Sequence, residues 1–105
     1  MLSVYEDMLG AIAGMRAVVA AIERRDADLG RQLRRAASSV VLNLAEGSGS
    51  FGRVRTQRYR TALGSARETL ACLRTAQAFG YVGSLDAGVA GAMNKVIGTL
   101  VRVTR

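Results

Sequence analysis

Asn43, Glu46 and Glu68 are the polar side chains best placed for chemistry, because each sits within a run of small apolar residues. Asn43 and Glu46 are three apart, which puts them on one side of a helix. Glu68 falls in a comparable stretch, ALGSARETLACL, with Ser65 three residues before it. Carboxylates in such a setting can hold a metal or move a proton, and a serine beside a base can act as a nucleophile. The chain contains no histidine, however. That removes the Glu-x-x-His pairs of di-iron bundles, the common zinc sets and the Ser-His arrangement. Ser65 then has no base to activate it and reads as a small packing residue. Asn43, Glu46, Ser65 and Glu68 are expected to form a structural polar network, with Arg34, Arg35 and Arg67 as candidate partners, since a charge buried unpaired is expensive. The alternative at the same residues is a ligand or partner site. No catalytic residue, metal or cofactor is expected, and the chain reads as non-enzymatic.

Two further features tempt a chemical reading. GSGSFG, residues 47–52, has the glycines of a phosphate loop but lacks the following lysine and the preceding strand. It is expected to be a turn, with Gly47 as the left-handed cap that closes a helix. Cys72 is the single cysteine, so no internal disulfide is possible, and LACLRT places it as a small apolar group in a helix.

Charge is the stronger signal. The net charge is +7, and between residues 31 and 60 seven arginines (Arg31, Arg34, Arg35, Arg53, Arg55, Arg58, Arg60) face one acid, Glu46, leaving +1 for everything else. A segment this basic points to a polyanionic partner. Phe51 and Tyr59 are the aromatics near it, so contact with the phosphate backbone is expected rather than base readout.

These residues need elements to carry them. Apolar positions recur at steps of three and four in four segments, the pattern of helices with one face against a core. The first runs through Tyr5, Met8, Ile12, Met15, Val19 and Ile22, and the second through Leu29, Leu33, Ala36, Val40 and Leu44. The third shows Tyr59, Leu63, Ala66, Leu70, Leu73 and Gln77, and the last Leu85, Val89, Ala92, Val96, Leu100 and Val103. Asp26 or Asp28 can cap the second helix and Ser84 the last. No proline interrupts these stripes, and short connections make sequential neighbours antiparallel. The fold class expected is all-α, an antiparallel up-down-up-down four-helix bundle forming one domain over residues 1–105. Glu6 and Asp7 stand where a secretory leader would carry basic residues, and the apolar run 17–22 is too short to cross a bilayer. A soluble cytoplasmic protein is expected, with no membrane contact.

Gln32 to Ser50 and Ala62 to Leu73 resemble the two signature stretches of a bacterial family. It is the four-helix-bundle proteins encoded in intervening sequences of 23S ribosomal RNA genes, which include the accessory protein of diversity-generating retroelements. Arg35, Ser39, Val40, Asn43, Leu44, Ala45, Glu46 and Gly47 fit the first pattern in order, Gly64, Ser65 and Glu68 the second, and Gly80-Tyr81 a shared turn. The family's proline falls on Val41, which restores an amide and removes an expected kink, and a frequent serine falls on Leu42. Coverage runs from Leu29 to the C-terminus. The resemblance implies a homopentameric ring and, for the retroelement branch, a basic surface that associates with a reverse transcriptase and nucleic acid. Two functions are therefore carried forward: an oligomer that binds RNA, DNA or a nucleic-acid enzyme through its arginines, and a purely structural or protein-interaction oligomer.

Overall fold

The computed structural model describes residues 2–105. Five α-helices follow one another: α1 (Leu2–Gly14), α2 (Arg16–Arg25), α3 (Ala27–Ser48), α4 (Gly52–Ala78) and α5 (Ala87–Thr104). Among the described residues there is no strand, so the all-α expectation holds. The first expected helix is divided at Met15, whose backbone turns to φ −98°, ψ 5°. Gly10 and Gly14 each weaken the helix there by about 1 kcal/mol relative to Ala. The hydrogen-bond ladder nevertheless passes through the bend. Met15 N–H donates to the Ala11 carbonyl at 3.0 Å, and Val19 N–H to the Met15 carbonyl at 2.8 Å.

Cross-helix contacts fix the directions. Arg58 meets Glu46 and Ser65 meets Ser39, so α4 returns along α3. Glu23 meets Arg34 across the one-residue turn at Asp26, so α3 returns along α2. Arg60 reaches Thr104, bringing the start of α4 to the end of α5, and α5 also packs on α1, where Lys95 approaches Asp7. The α3–α4 contact is the most extensive. At about 1.5 Å per residue, the 27 residues of α4 span roughly 40 Å, which accounts for the 42 Å long axis.

One apolar cluster joins all five helices, with Met8, Met15, Ile22, Leu33, Leu73, Met93 and Leu100 fully buried. The α3 stripe is as expected, apart from a half-buried Leu29. The α4 stripe is rotated. Tyr59, Ala66 and Leu73 are buried, but Leu63, Leu70 and Gln77 are only half-buried, and Ala62, Thr69, Cys72 and Ala76 take the inward positions. In α1 the extra inward positions are Val4 and Ala11, with Tyr5 and Ile12 half-buried. In α5 they are Met93 and Thr104, while Ala92 is half-buried and Val103 exposed; Leu85, half-buried, lies ahead of the helix, which starts at Ala87.

Caps differ from expectation in two places. Asp26 caps α3 as read from the sequence, its Oδ1 accepting from Leu29 N–H at 3.0 Å. Asp86, not Ser84, caps α5, accepting from Val89 N–H at 3.1 Å. Gly47 is not a left-handed cap. It lies inside α3, buried, and the helix closes at Gly49 with φ −90°. The glycine is required because the Tyr59 ring occupies the space where a Cβ would stand. The left-handed glycines are Gly52 and Gly80, at φ +57° and +76°. Gly47→Ala should therefore cost about 1–3 kcal/mol by overpacking against Tyr59. Gly49→Ala, with its nearest neighbouring atom 3.8 Å away, should leave the urea midpoint near that of the wild type.

Candidate nucleic-acid interface

The polar residues singled out in the sequence divide into two groups along the α3–α4 seam. Ser39 is the centre of the first. Its hydroxyl lies 2.7 Å from the Ser65 hydroxyl across the seam and accepts from Asn43 Nδ2 at 3.1 Å, while its carbonyl accepts from the same Nδ2 at 2.9 Å. Asn43 and Ser65 are thus joined through a residue whose small size marks it for close packing. Asn43 Oδ1 is buried without a partner. Glu46 belongs to the second group, in an ion pair with Arg58 at 3.0 Å. Glu68 is exposed and lines a cleft of about 550 Å³ with Gln32, Arg35, Ala36, Ser39 and Ser65. The expected partners are corrected accordingly. Arg58 pairs with Glu46, and Arg34 turns away to Glu23; helix direction, invisible in the residue list, decides this. Burial, reinforced by the Glu68 charge, pushes the Cys72 thiol above its ordinary 9.0, consistent with an inert packing role.

The seven arginines are not equivalent. Arg31 pairs with Asp28 at 2.9 Å one turn away, and Arg34 grips Glu23 through both Nε (2.6 Å) and Nη2 (3.1 Å). Arg55 Nε donates to the Gly47 carbonyl at 3.3 Å and lies over the Phe51 ring, while Arg60 donates to the Thr104 carbonyl at 3.4 Å. Arg35 and Arg53 have no ion-pair partner among the described residues. Arg34, Arg35 and Arg58 line a second cleft of about 430 Å³, and Arg58 also lines a third, about 550 Å³, with Arg53 and Val54. Because the two clefts share Arg58, these four arginines form one strip on the outer face of α3 and α4. Leu42 and Val54 lie exposed within it, at 60% and 58%. Tyr59 is buried under Gly47, so it offers no stacking face.

GSGSFG holds no ligand-like cradle. Ser48 Oγ donates to the Leu44 and Ala45 carbonyls, and Ser50 Oγ to that of Glu46. With Arg55 on Gly47, the last carbonyls of α3 are satisfied from within the chain. The described residues contain no group of His, Cys, Asp or Glu able to hold a metal ion and no helix long and apolar enough to cross a membrane.

A model of the family described as 23S rRNA-intervening sequence protein matches residues 4–98. The chain belongs to this family. The match begins well before Leu29, so α1 and α2 are part of the family's domain although their sequence stripe carries no signature. A crystal structure of a protein with unknown function, from the S23 ribosomal protein family of Bacteroides thetaiotaomicron VPI-5482, is similar with a TM-score of 0.77. The two share 15% identity, over 97% of this chain and 98% of that one, which shows a common fold. No curated protein matches.

In this family member, α2 contributes the acid that the basic segment lacks. Glu23 is 36% exposed along its side chain, and the hydrogen bond from Arg34, followed by its charge, holds the Glu23 carboxyl below its ordinary 4.5. A carboxyl lowered on folding stabilises the native state above its ordinary pKa, and the contribution is lost as pH falls through the lowered value. Wild-type protein should therefore melt above Glu23→Gln at pH 7. The gap should begin to close as pH falls below about 4.5 and vanish once Glu23 is protonated in the folded protein too, in thermal scans followed by circular dichroism.

Proposed function

We propose that α1 and α2 act as one bent rod of an antiparallel up-down-up-down four-helix bundle, that copies of the chain assemble into a homopentameric ring, and that the ring binds RNA or DNA, or a nucleic-acid enzyme such as a reverse transcriptase, through the Arg34–Arg35–Arg58–Arg53 strip. The chain works as a non-enzymatic binding protein in the cytoplasm. The observation that carries the binding reading is the strip itself: Arg35 and Arg53 stand exposed and make no ion pair among the described residues. Membership of the 23S rRNA-intervening sequence family supports the association with ribosomal RNA genes; the retroelement association rests on the resemblance of the two signature stretches alone. A ring would repeat a small patch several times and turn weak phosphate contacts into avidity.

Exposed Leu42 and Val54 within the strip favour a second reading, a purely structural oligomer in which this face meets another subunit. Titration of labelled structured RNA and duplex DNA at several salt concentrations separates the two. Binding should weaken with salt, and Arg35→Gln or Arg53→Gln should each lower the slope on duplex DNA by about 0.9, with the light-scattering mass unchanged. Salt-insensitive or undetectable binding at micromolar protein, together with a mass that falls in Arg53→Glu or Arg58→Glu, establishes the structural oligomer instead.

A further inference from the structure

At the far end of α4 from Phe51, the chain closes its helix with a Schellman turn. Gly80 N–H, at φ +76°, donates to the Gln77 carbonyl at 3.0 Å, and Tyr81 N–H donates to the Ala76 carbonyl at 2.9 Å. This brings Phe79 and Tyr81 face to face, their ring centroids 5.3 Å apart and their planes 17° from parallel. The Tyr81 hydroxyl donates to Asp26 Oδ2 at 3.3 Å, and the Arg25 guanidinium stands 5.9 Å from the centre of the Tyr81 ring. The pair is therefore held by backbone bonds, a side-chain hydrogen bond and a cation. Phe79 itself buries little: it is 67% exposed. Arg24 and Arg25, both exposed in the last turn of α2, have no ion-pair partner among the described residues. Asp26 is committed to Leu29 and Tyr81.

A pre-set, solvent-facing aromatic ring with an arginine close by is suited to holding an unpaired nucleobase, its ring on the aromatic and a neighbouring phosphate on the guanidinium. We infer that Phe79, backed by Tyr81 with the Arg25 guanidinium over the Tyr81 ring, is a stacking platform for an unpaired base of single-stranded nucleic acid. The inference rests on the nucleic-acid reading above and adds a base contact to a strip that touches phosphates. Stacking on one ring is sequence-tolerant, because every base has a π-face, so the platform distinguishes single strands from duplexes rather than one sequence from another.

The chain has no tryptophan, so the substitution Phe79→Trp places a lone fluorescent indole on the platform. The probes are uridine and deoxythymidine dodecamers, with an abasic dodecamer of equal charge. The base-containing strands should quench the indole of the Phe79→Trp variant and the abasic strand should not. Phe79→Ala should bind the base-containing strands roughly tenfold more weakly with the salt slope unchanged. Strands that bind with the full salt slope yet neither quench Phe79→Trp nor lose affinity for Phe79→Ala overturn the platform and leave the arginine strip standing. Absence of any strand binding overturns both. A fall in assembly mass for Phe79→Ala, with strand affinity unchanged, assigns the aromatic pair to a contact between subunits and also overturns the proposal.

Discussion

Two long helices approach most closely where their facing side chains are small, and small residues line much of the α3–α4 contact, the most extensive in the molecule. Ala36 and Ala37 on one side, and Ala62 and Ala66 on the other, are buried; Gly47 admits the Tyr59 ring, and Ser39 touches Ser65 through their hydroxyls. The close approach joins the Ser39 and Ser65 hydroxyls, because a serine hydroxyl reaches across only when the backbones are near. It also sets the register that brings Arg58 to Glu46 and Arg55 to the last carbonyls of α3. Everything on the outer face of this pair, including the arginine strip, inherits its position from that register.

Folding redistributes the charge of the basic segment. Glu23 and Asp28 lie outside or just ahead of the arginine run, yet they engage Arg34 and Arg31. Arg55 and Arg60 each direct one donor to a backbone carbonyl, at the ends of α3 and α5, and keep their charge. Exposed ion pairs of this kind contribute little to stability, typically below about 1 kcal/mol; their larger effect is to offset the charge of Arg31, Arg34 and Arg58 and not that of Arg35 and Arg53. The capacity to meet a polyanion thus depends on fewer groups than the composition suggests, and on their sharing one face.

The α3 stripe is legible in the sequence because Leu29, Leu33, Val40 and Leu44 repeat along it with Ala36 filling the one remaining step. The α4 stripe is legible in period but not in phase, since Ala62, Thr69 and Ala76 are too small or too polar to be counted as core from their types. Gly47 stands out for the wrong reason: a glycine before a serine-rich break looks like a cap, and only the position of Tyr59 reveals a steric need. Among the site residues, Asn43 and Ser65 share one network through Ser39, while the partner of Glu46 depends on helix direction, which residue types do not carry. Phe79 reads in the sequence as a turn residue and no more. Its signal, an aromatic before Gly-Tyr at a helix end, becomes readable once that glycine is known to be left-handed.

Asp26 divides its carboxylate between two distant parts of the chain, one oxygen on the Leu29 amide and the other on the Tyr81 hydroxyl. The start of α3 and the end of α4 are consequently fastened at a single point, fifty-five positions apart in sequence. Local opening of the α4–α5 turn removes a partner from the residue that holds the first turn of α3. Protection of the Leu29 amide from exchange with solvent deuterium is thereby coupled to that of Tyr81, and the two turns at this end of the molecule loosen as one cooperative unit.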